Sequence, residues 1–175
     1  MPAPLREVRL ITVSPSSTKA RLCLGPVAPP CAIGRGGIRM LKREGDGATP
    51  IGLWPMRFLL YRPDRVPLPV TGLEAWAIAP DDGWCDDPRD RRYNRPVRLP
   101  YPASAEAMWR EDHLYDLVIV LGYNDEPVVP GKGSAIFMHL ARPGYAPTEG
   151  CIALRRDHML SLLSRCGPET AVRVG

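Results

Sequence analysis

Proline and glycine constrain this chain more than any other feature. Its 175 residues include 21 prolines and 16 glycines, spread from end to end. Proline lacks the N–H that a helix interior needs and clashes with the preceding turn, so a helical bundle is excluded. Short strands joined by many turns are the expected solution. The length suits a single domain, residues 1–175, with a sizeable buried core. No linker rich in Gly, Ser or charge divides it, and no segment repeats. With 45% hydrophobic and 24% charged residues, disorder of the whole chain is ruled out. The net charge of +4 is too small and too scattered for nucleic-acid binding. No apolar run reaches the length of a membrane span. The N-terminal MPAPLREVRLITVSPSS lacks the basic start and long apolar stretch of a signal peptide.

The hydrophobic pattern reads as mainly β. Residues 6–13 form a short strand-like run. Residues 18–24 alternate Lys19, Arg21 and Cys23 with Ala20, Leu22 and Leu24, the pattern of a half-buried strand. A third strand starts at Cys31 and ends by Gly34. Residues 51–61 form a strand that Pro55 assigns to an edge or a bulge. Residues 80–102 form a long irregular segment, which is often functional. One or two helical turns are expected over 104–110. Residues 117–121 (LVIVL) and 135–140 read as buried strands, and 151–154 as a short apolar run. Asp157 then caps an amphipathic helix carrying His158, Met159, Leu160, Leu162 and Leu163, stopped by Gly167 and Pro168. A last strand spans 170–174.

Few residues can carry chemistry. The five cysteines form no CxxC pair, which excludes a zinc ribbon or a thioredoxin motif. One thiol at least is unpaired, and disulfides among the others stay open. Cys23 and Cys166 read as core, Cys31 as packing, and Cys85 lies in the long loop. His158 falls in a helix turn and His113 in a polar stretch. His139 differs, lying in an apolar strand on the face shared with Ala135 and Phe137. Cys151 follows Pro147-Thr148-Glu149-Gly150. A glycine before a cysteine permits a tight turn, which aims the N–H groups of Gly150 and Cys151 at one spot, as in an oxyanion hole. A nearby imidazole would hold such a thiol in its reactive form. The alternative is a buried apolar cysteine. Gly131-Lys132-Gly133-Ser134 is no P-loop and Gly34-Arg35-Gly36-Gly37 no dinucleotide fingerprint. A zinc site from His139, Cys151 and Cys85 lacks ligand spacing, so no metal or cofactor is expected.

His139 in its strand, followed by Thr148-Glu149-Gly150-Cys151-Ile152, resembles the YkuD-type L,D-transpeptidase domain. That family carries a His, a spacer, then Ser/Thr-His-Gly-Cys, a hydrophobic residue and Asn or Arg. Gly45-Asp46-Gly47-Ala48-Thr49-Pro50-Ile51-Gly52 is similar to the family's Asp-Gly-x-Thr-Pro-x-Gly turn. The resemblance runs from about residue 6 to 175 and implies a YkuD-like β-sandwich of mixed sheets. It implies Cys151 as nucleophile, His139 as base, Gly150 beside the oxyanion site and Thr148 at the Ser/Thr position. It also implies a reaction. Family members form a thioester with a peptidoglycan stem peptide and pass the acyl group to a second stem. Most form 3→3 cross-links, while others join different positions such as 1→3, hydrolyse, or exchange D-amino acids. Carbapenems are the implied inhibitors, and the periplasm or cell envelope the implied compartment. A monomer is expected.

This chain departs from the family pattern at three points. Glu149 stands where the motif has its second His, and Ala153 where it has Asn or Arg. His139 and Cys151 are only 12 positions apart. A carboxylate beside the nucleophile would raise the thiol pKa, so Glu149 either points away or binds a cationic substrate group. Arg155 or Arg156 is the candidate replacement for the missing Asn or Arg. Tyr145 lies between base and nucleophile and is a candidate lining residue. Trp84, Tyr93, Asn94 and Arg95 in the long loop are candidates for the substrate cleft, since arginine forks onto carboxylates. Two rival functions follow from the departures. One is a stem-peptide carboxypeptidase or hydrolase; the other is a catalytically silent wall-binding module.

Overall fold

A computed structural model describes residues 4–175. The first three residues of the N-terminal stretch read above lie outside the described residues. The chain opens with β1 (Glu7–Ile11), β2 (Lys19–Cys23) and β3 (Pro30–Ala32), then β4 (Ile38–Arg39), β5 (Thr49–Pro50) and the long β6 (Gly52–Tyr61). It continues through β7 (Ala75–Ala77), β8 (Asp82–Cys85), β9 (Pro96–Arg98), β10 (Ala105–Ala107), β11 (Leu117–Leu121) and β12 (Phe137–Leu140). After a 3-10 turn at Pro143–Tyr145 come β13 (Ile152–Leu154), α1 (Arg156–Leu163) and β14 (Ala171–Val174).

Nine strands form one sheet in the order β11-β12-β13-β3-β2-β1-β14-β6-β7, and β11 also pairs with β6. That extra pairing closes the sheet on itself and leaves only the short β7, paired with β6 alone, at a free edge. The ladder is mixed: β1–β14, β12–β13 and β6–β7 run parallel, the rest antiparallel. Alternation directs Leu10, Leu22, Met56, Leu59, Ile119, Met138, Ile152 and Leu154 into the main core. Met159, Leu162 and Leu163 of α1 join the same cluster. A three-stranded sheet, β10-β8-β9, supplies a second layer. Its Trp84 packs with Val118, Val120 and Phe137 on the other face of β11 and β12, edge-on to Phe137 at 5.0 Å. The expected mainly β architecture of mixed sheets with one C-terminal helix is what the chain adopts, with the main sheet closed in a barrel-like way rather than split into the two sheets of a sandwich.

Local details differ from expectation. Residues 105–107 are a strand, not helical turns, because Ala105-Glu106-Ala107 pairs with Gly83–Cys85; tertiary pairing overrides local propensity. The segment 80–102 is less irregular than its composition suggests, since it contains β8 and β9. Helix α1 is preceded by Arg155 without a side-chain cap, and Asp157 sits within the first turn. Pro55 holds the last register position of β6 against β14, close to a bulge opposite Val120 and Leu121. All five cysteines are free thiols. Among the described residues no helix is long and apolar enough to cross a membrane.

Candidate active site

Strands β12 and β13 set the two key side chains by parity. They pair in parallel with Met138 opposite Ile152 and His139 opposite Ala153. Successive side chains alternate between faces. Met138, Leu140, Ile152 and Leu154 therefore enter the main core, while Phe137, His139, Cys151 and Ala153 share the other face. Residues 141–151 make the crossover, with the 3-10 turn inside it, so the short spacer still spans neighbouring strands. His139 and Cys151 are 6% and 8% exposed, and both line one cavity of about 510 Å³.

The turn before Cys151 is held from two directions. Within it, the Gly150 N–H donates to Thr148 Oγ1 at 3.1 Å, and Thr148 Oγ1 donates to the Cys151 carbonyl at 2.6 Å. Gly150 adopts φ +134°, and a Cβ there would lie 2.7 Å from the Ala48 carbonyl oxygen. Both facts require glycine. From across the fold, Thr49 Oγ1 donates to the Gly150 carbonyl at 2.9 Å and accepts from the Gly34 N–H at 2.9 Å. The Thr-Pro-x-Gly turn and the Gly-Cys turn, about a hundred residues apart in sequence, are thus in direct contact. Asp46 shapes the first of these turns by accepting from Lys42 Nζ and from the N–H groups of Arg43 and Ala48.

Protonation follows from burial and partners. His139 Nδ1 lies 2.9 Å from the Leu140 carbonyl. A carbonyl only accepts, so Nδ1 carries the proton and Nε2 keeps its lone pair. Burial drives the imidazole pKa down to about 4, helped by the positive charge of Arg110 and Arg142 against the opposing Leu140 contact. Burial likewise pushes the Cys151 thiol up to about 12, and the Glu106 charge acts in the same direction. Sγ donates to the Ala135 carbonyl at 3.2 Å and accepts from the Phe137 N–H at 3.4 Å. At rest, therefore, the thiol and the imidazole that line the cavity are both neutral, and the thiol proton is held by the Ala135 carbonyl.

The cavity walls mix polar and apolar groups. Glu44, Asp86, Glu106, Ser134, Arg110, Tyr115 and Arg142 line it with the residues above. Tyr115 packs edge-on to His139 at 5.3 Å and donates its hydroxyl to Glu106. Among the described residues no group of three His, Cys, Asp or Glu is placed to hold a metal ion.

The structure brings only some of the sequence candidates together. Cys151, His139, Thr148 and Glu149 line the cavity, whereas Gly150, which precedes Cys151, is not among its lining residues. The Glu149 carboxylate is 77% exposed and accepts from Arg35 Nε at 2.9 Å, so its charge is committed at the rim. Arg155 pairs with Asp157 and lines a neighbouring cavity. Tyr145 belongs to the 3-10 turn and is not among the lining residues of either cavity. Trp84, Tyr93 and Asn94 are buried behind the wall. Asn94 Oδ1 accepts from Trp84 Nε1 and from the Ala135 N–H, so it fixes the residue whose carbonyl meets Cys151. The Tyr93 hydroxyl accepts from the Gly133 N–H, and Arg95 donates to the Asp125 carbonyl. Sequence reasoning missed Glu44, Glu106, Arg110, Tyr115, Ser134 and Arg142. Only Ser134 and Arg142, which flank β12, carried a usable signal, because strand ends border such clefts.

A family model described as the L,D-transpeptidase catalytic domain, YkuD, matches residues 11–174. Neither the curated proteins nor the solved structures contain a significant match.

Proposed function

The chain belongs to the YkuD family of L,D-transpeptidase catalytic domains, and from that premise we propose that it is a cysteine acyltransferase acting on peptidoglycan stem peptides. Residues 1–175 act as one catalytic domain. The observation that supports this reading is that His139, in β12, and Cys151, just before the neighbouring β13, line one shared cavity.

Because the resting thiol is neutral, proton transfer accompanies attack. As Sγ bonds to the stem-peptide carbonyl carbon, its proton passes to His139 Nε2, with the imidazole steadied through Nδ1 by the Leu140 carbonyl. The Gly150 N–H is already bound to Thr148, which leaves the Cys151 N–H as the turn's donor to the developing oxyanion. Collapse of the tetrahedral intermediate expels the leaving amine, which takes the proton from Nε2, and leaves a thioester. A second amine then attacks the thioester carbonyl and yields its proton to His139, which returns it to the departing sulfur. A 3→3 cross-link is the preferred product, and a 1→3 link or hydrolysis are the variants of the same chemistry. On this reading its work lies in the periplasm or cell envelope.

The test is incubation with defined muropeptides beside Cys151→Ala, with products identified by mass. Cross-linked dimers made only by the wild type are expected. Release of a terminal amino acid without dimers would turn the reading into a carboxypeptidase. No product, together with no carbapenem adduct on Cys151, would overturn it in favour of a silent binding module.

A further inference from the structure

Most charges around the cleft are already satisfied. Arg110 donates to both carboxylate oxygens of Asp112 at 2.8 and 2.6 Å. Glu44 accepts from Ser134 Oγ and the Tyr93 hydroxyl, Glu106 from Tyr115, and Glu149 from Arg35. In the adjoining cavity of about 870 Å³, Arg155 is paired with Asp157 and Arg156 with Asp116. Two groups are exceptions: among the described residues Asp86 leaves Oδ1 without a partner on the acidic side, and Arg142 is the unpaired cation. Its side chain has no ion pair and no hydrogen bond among the described residues. It is exposed, and it lines both cavities. It stands just past the end of β12, three residues after His139, and is thus an uncommitted guanidinium on the ridge where the two cavities meet. A solvated arginine is the simplest account of an exposed side chain. What argues for more is that every other arginine lining either cavity has a carboxylate partner.

The direction of the chemistry gives this position a meaning. His139 must hand its proton to the leaving amine, so the departing residue lies on the imidazole side of the sulfur. That side runs along β12 toward Arg142, away from Ser134 and Ala135. The incoming amine replaces the departing one and occupies the same place. In an α-amino acid the carboxylate is only two bonds from the amine. We propose that Arg142 binds the α-carboxylate of the amino acid whose amine leaves the acyl carbon, and of the amine that replaces it. This assignment rests on the acyl-transfer reading above and adds its selectivity. Donors with a free carboxylate one residue past the cleaved bond are favoured over their amides, and α-amino acids over simple amines as acceptors. Arg142 presents a planar fork suited to bidentate carboxylate binding.

Calorimetric binding to the Cys151→Ala protein tests the assignment without requiring turnover. The probes are a tetrapeptide stem ending in D-Ala and its C-terminal carboxamide. The acid should bind roughly tenfold to a hundredfold more tightly than the amide, the range of a charge-assisted hydrogen-bonded pair. Adding Arg142→Ala should collapse that ratio toward one by weakening the acid alone, and Arg142→Lys should restore part of it. An acid-to-amide ratio that is unchanged by Arg142→Ala, or failure of either peptide to bind, overturns the proposal. Cys151 acylation of the wild type, read by mass, reports separately on the underlying chemistry. An Arg142-dependent ratio without acylation would keep the carboxylate site and remove the transferase reading.

Discussion

Acidification provides a direct test of His139 as a buried neutral base. The ordinary imidazole pKa is 6.5, and burial lowers it to about 4 in the folded chain. Above pH 6.5 neither the folded nor the unfolded state binds this proton, and the group makes no difference to stability. Below 6.5 the unfolded chain takes up a proton that the folded chain refuses, so stability falls with pH until the folded imidazole also titrates near 4. The slope is about 1.4 kcal/mol per pH unit, or about 2 kcal/mol between pH 6.5 and 5. Glu7 and Asp112, held down to about 2 chiefly by Arg173 and Arg110 respectively, lose their contributions mainly below this window. Glu106, raised by burial, changes stability with the opposite sign, but it is common to wild type and variant. Urea unfolding of wild type and His139→Gln at pH 7.5, 6.5, 5.5 and 5.0 isolates the histidine. The wild type should lose about 2 kcal/mol more than the variant. Parallel curves would show an imidazole that titrates as if in water, and the neutral-base mechanism would fall with that result.

Four further outcomes are expected. Gly150→Ala forces a methyl to 2.7 Å from the Ala48 carbonyl at φ +134°; it should cost about 2–4 kcal/mol in chemical denaturation, and a loss within error of zero would show the turn to be pliable. Thr49→Val removes one hydrogen bond to the Gly150 carbonyl and one from the Gly34 N–H; about 2 kcal/mol of stability should go with it, along with slower carbapenem acylation of Cys151. Cys151, pushed up to about 12 by burial, should react with iodoacetamide at pH 7.5 more slowly than free cysteine, and a faster reaction would point to a thiolate. Asn94→Ala unties the Ala135 N–H and Trp84 Nε1; Cys151 acylation should slow at least tenfold, and an unchanged rate would mean that Ala135 is held by its other neighbours.

Much of the strand skeleton was legible because alternation along a strand is a local property. Val8 and Leu10, Ala20 and Leu22, and the fully buried 117–121 run all lie inside, where their pattern puts them. The shared face of His139 and Cys151 was half legible. Parity within each strand follows from the residues, while the register that places His139 opposite Ala153 depends on pairing. The segment 104–110 misled because nothing in Ala105-Glu106-Ala107 announces its partner Gly83–Cys85. The long loop misled differently. Its aromatic and amide groups, which suggested substrate contacts, are turned inward to brace residues 133–135.

By itself the sequence determined a proline-punctuated β protein, a glycine-cysteine turn at residues 150–151, and a histidine in an apolar strand. Each of these follows from conformational limits that act over a few residues. Only the tertiary structure decided that β11 meets β6 to close the sheet, that Thr49 anchors the Gly150 turn, and that burial leaves both reactive groups uncharged. It alone also left Arg142 without a carboxylate partner among the described residues. Those outcomes depend on which distant groups become neighbours and how much water they lose, and neither quantity is carried by any short stretch of chain.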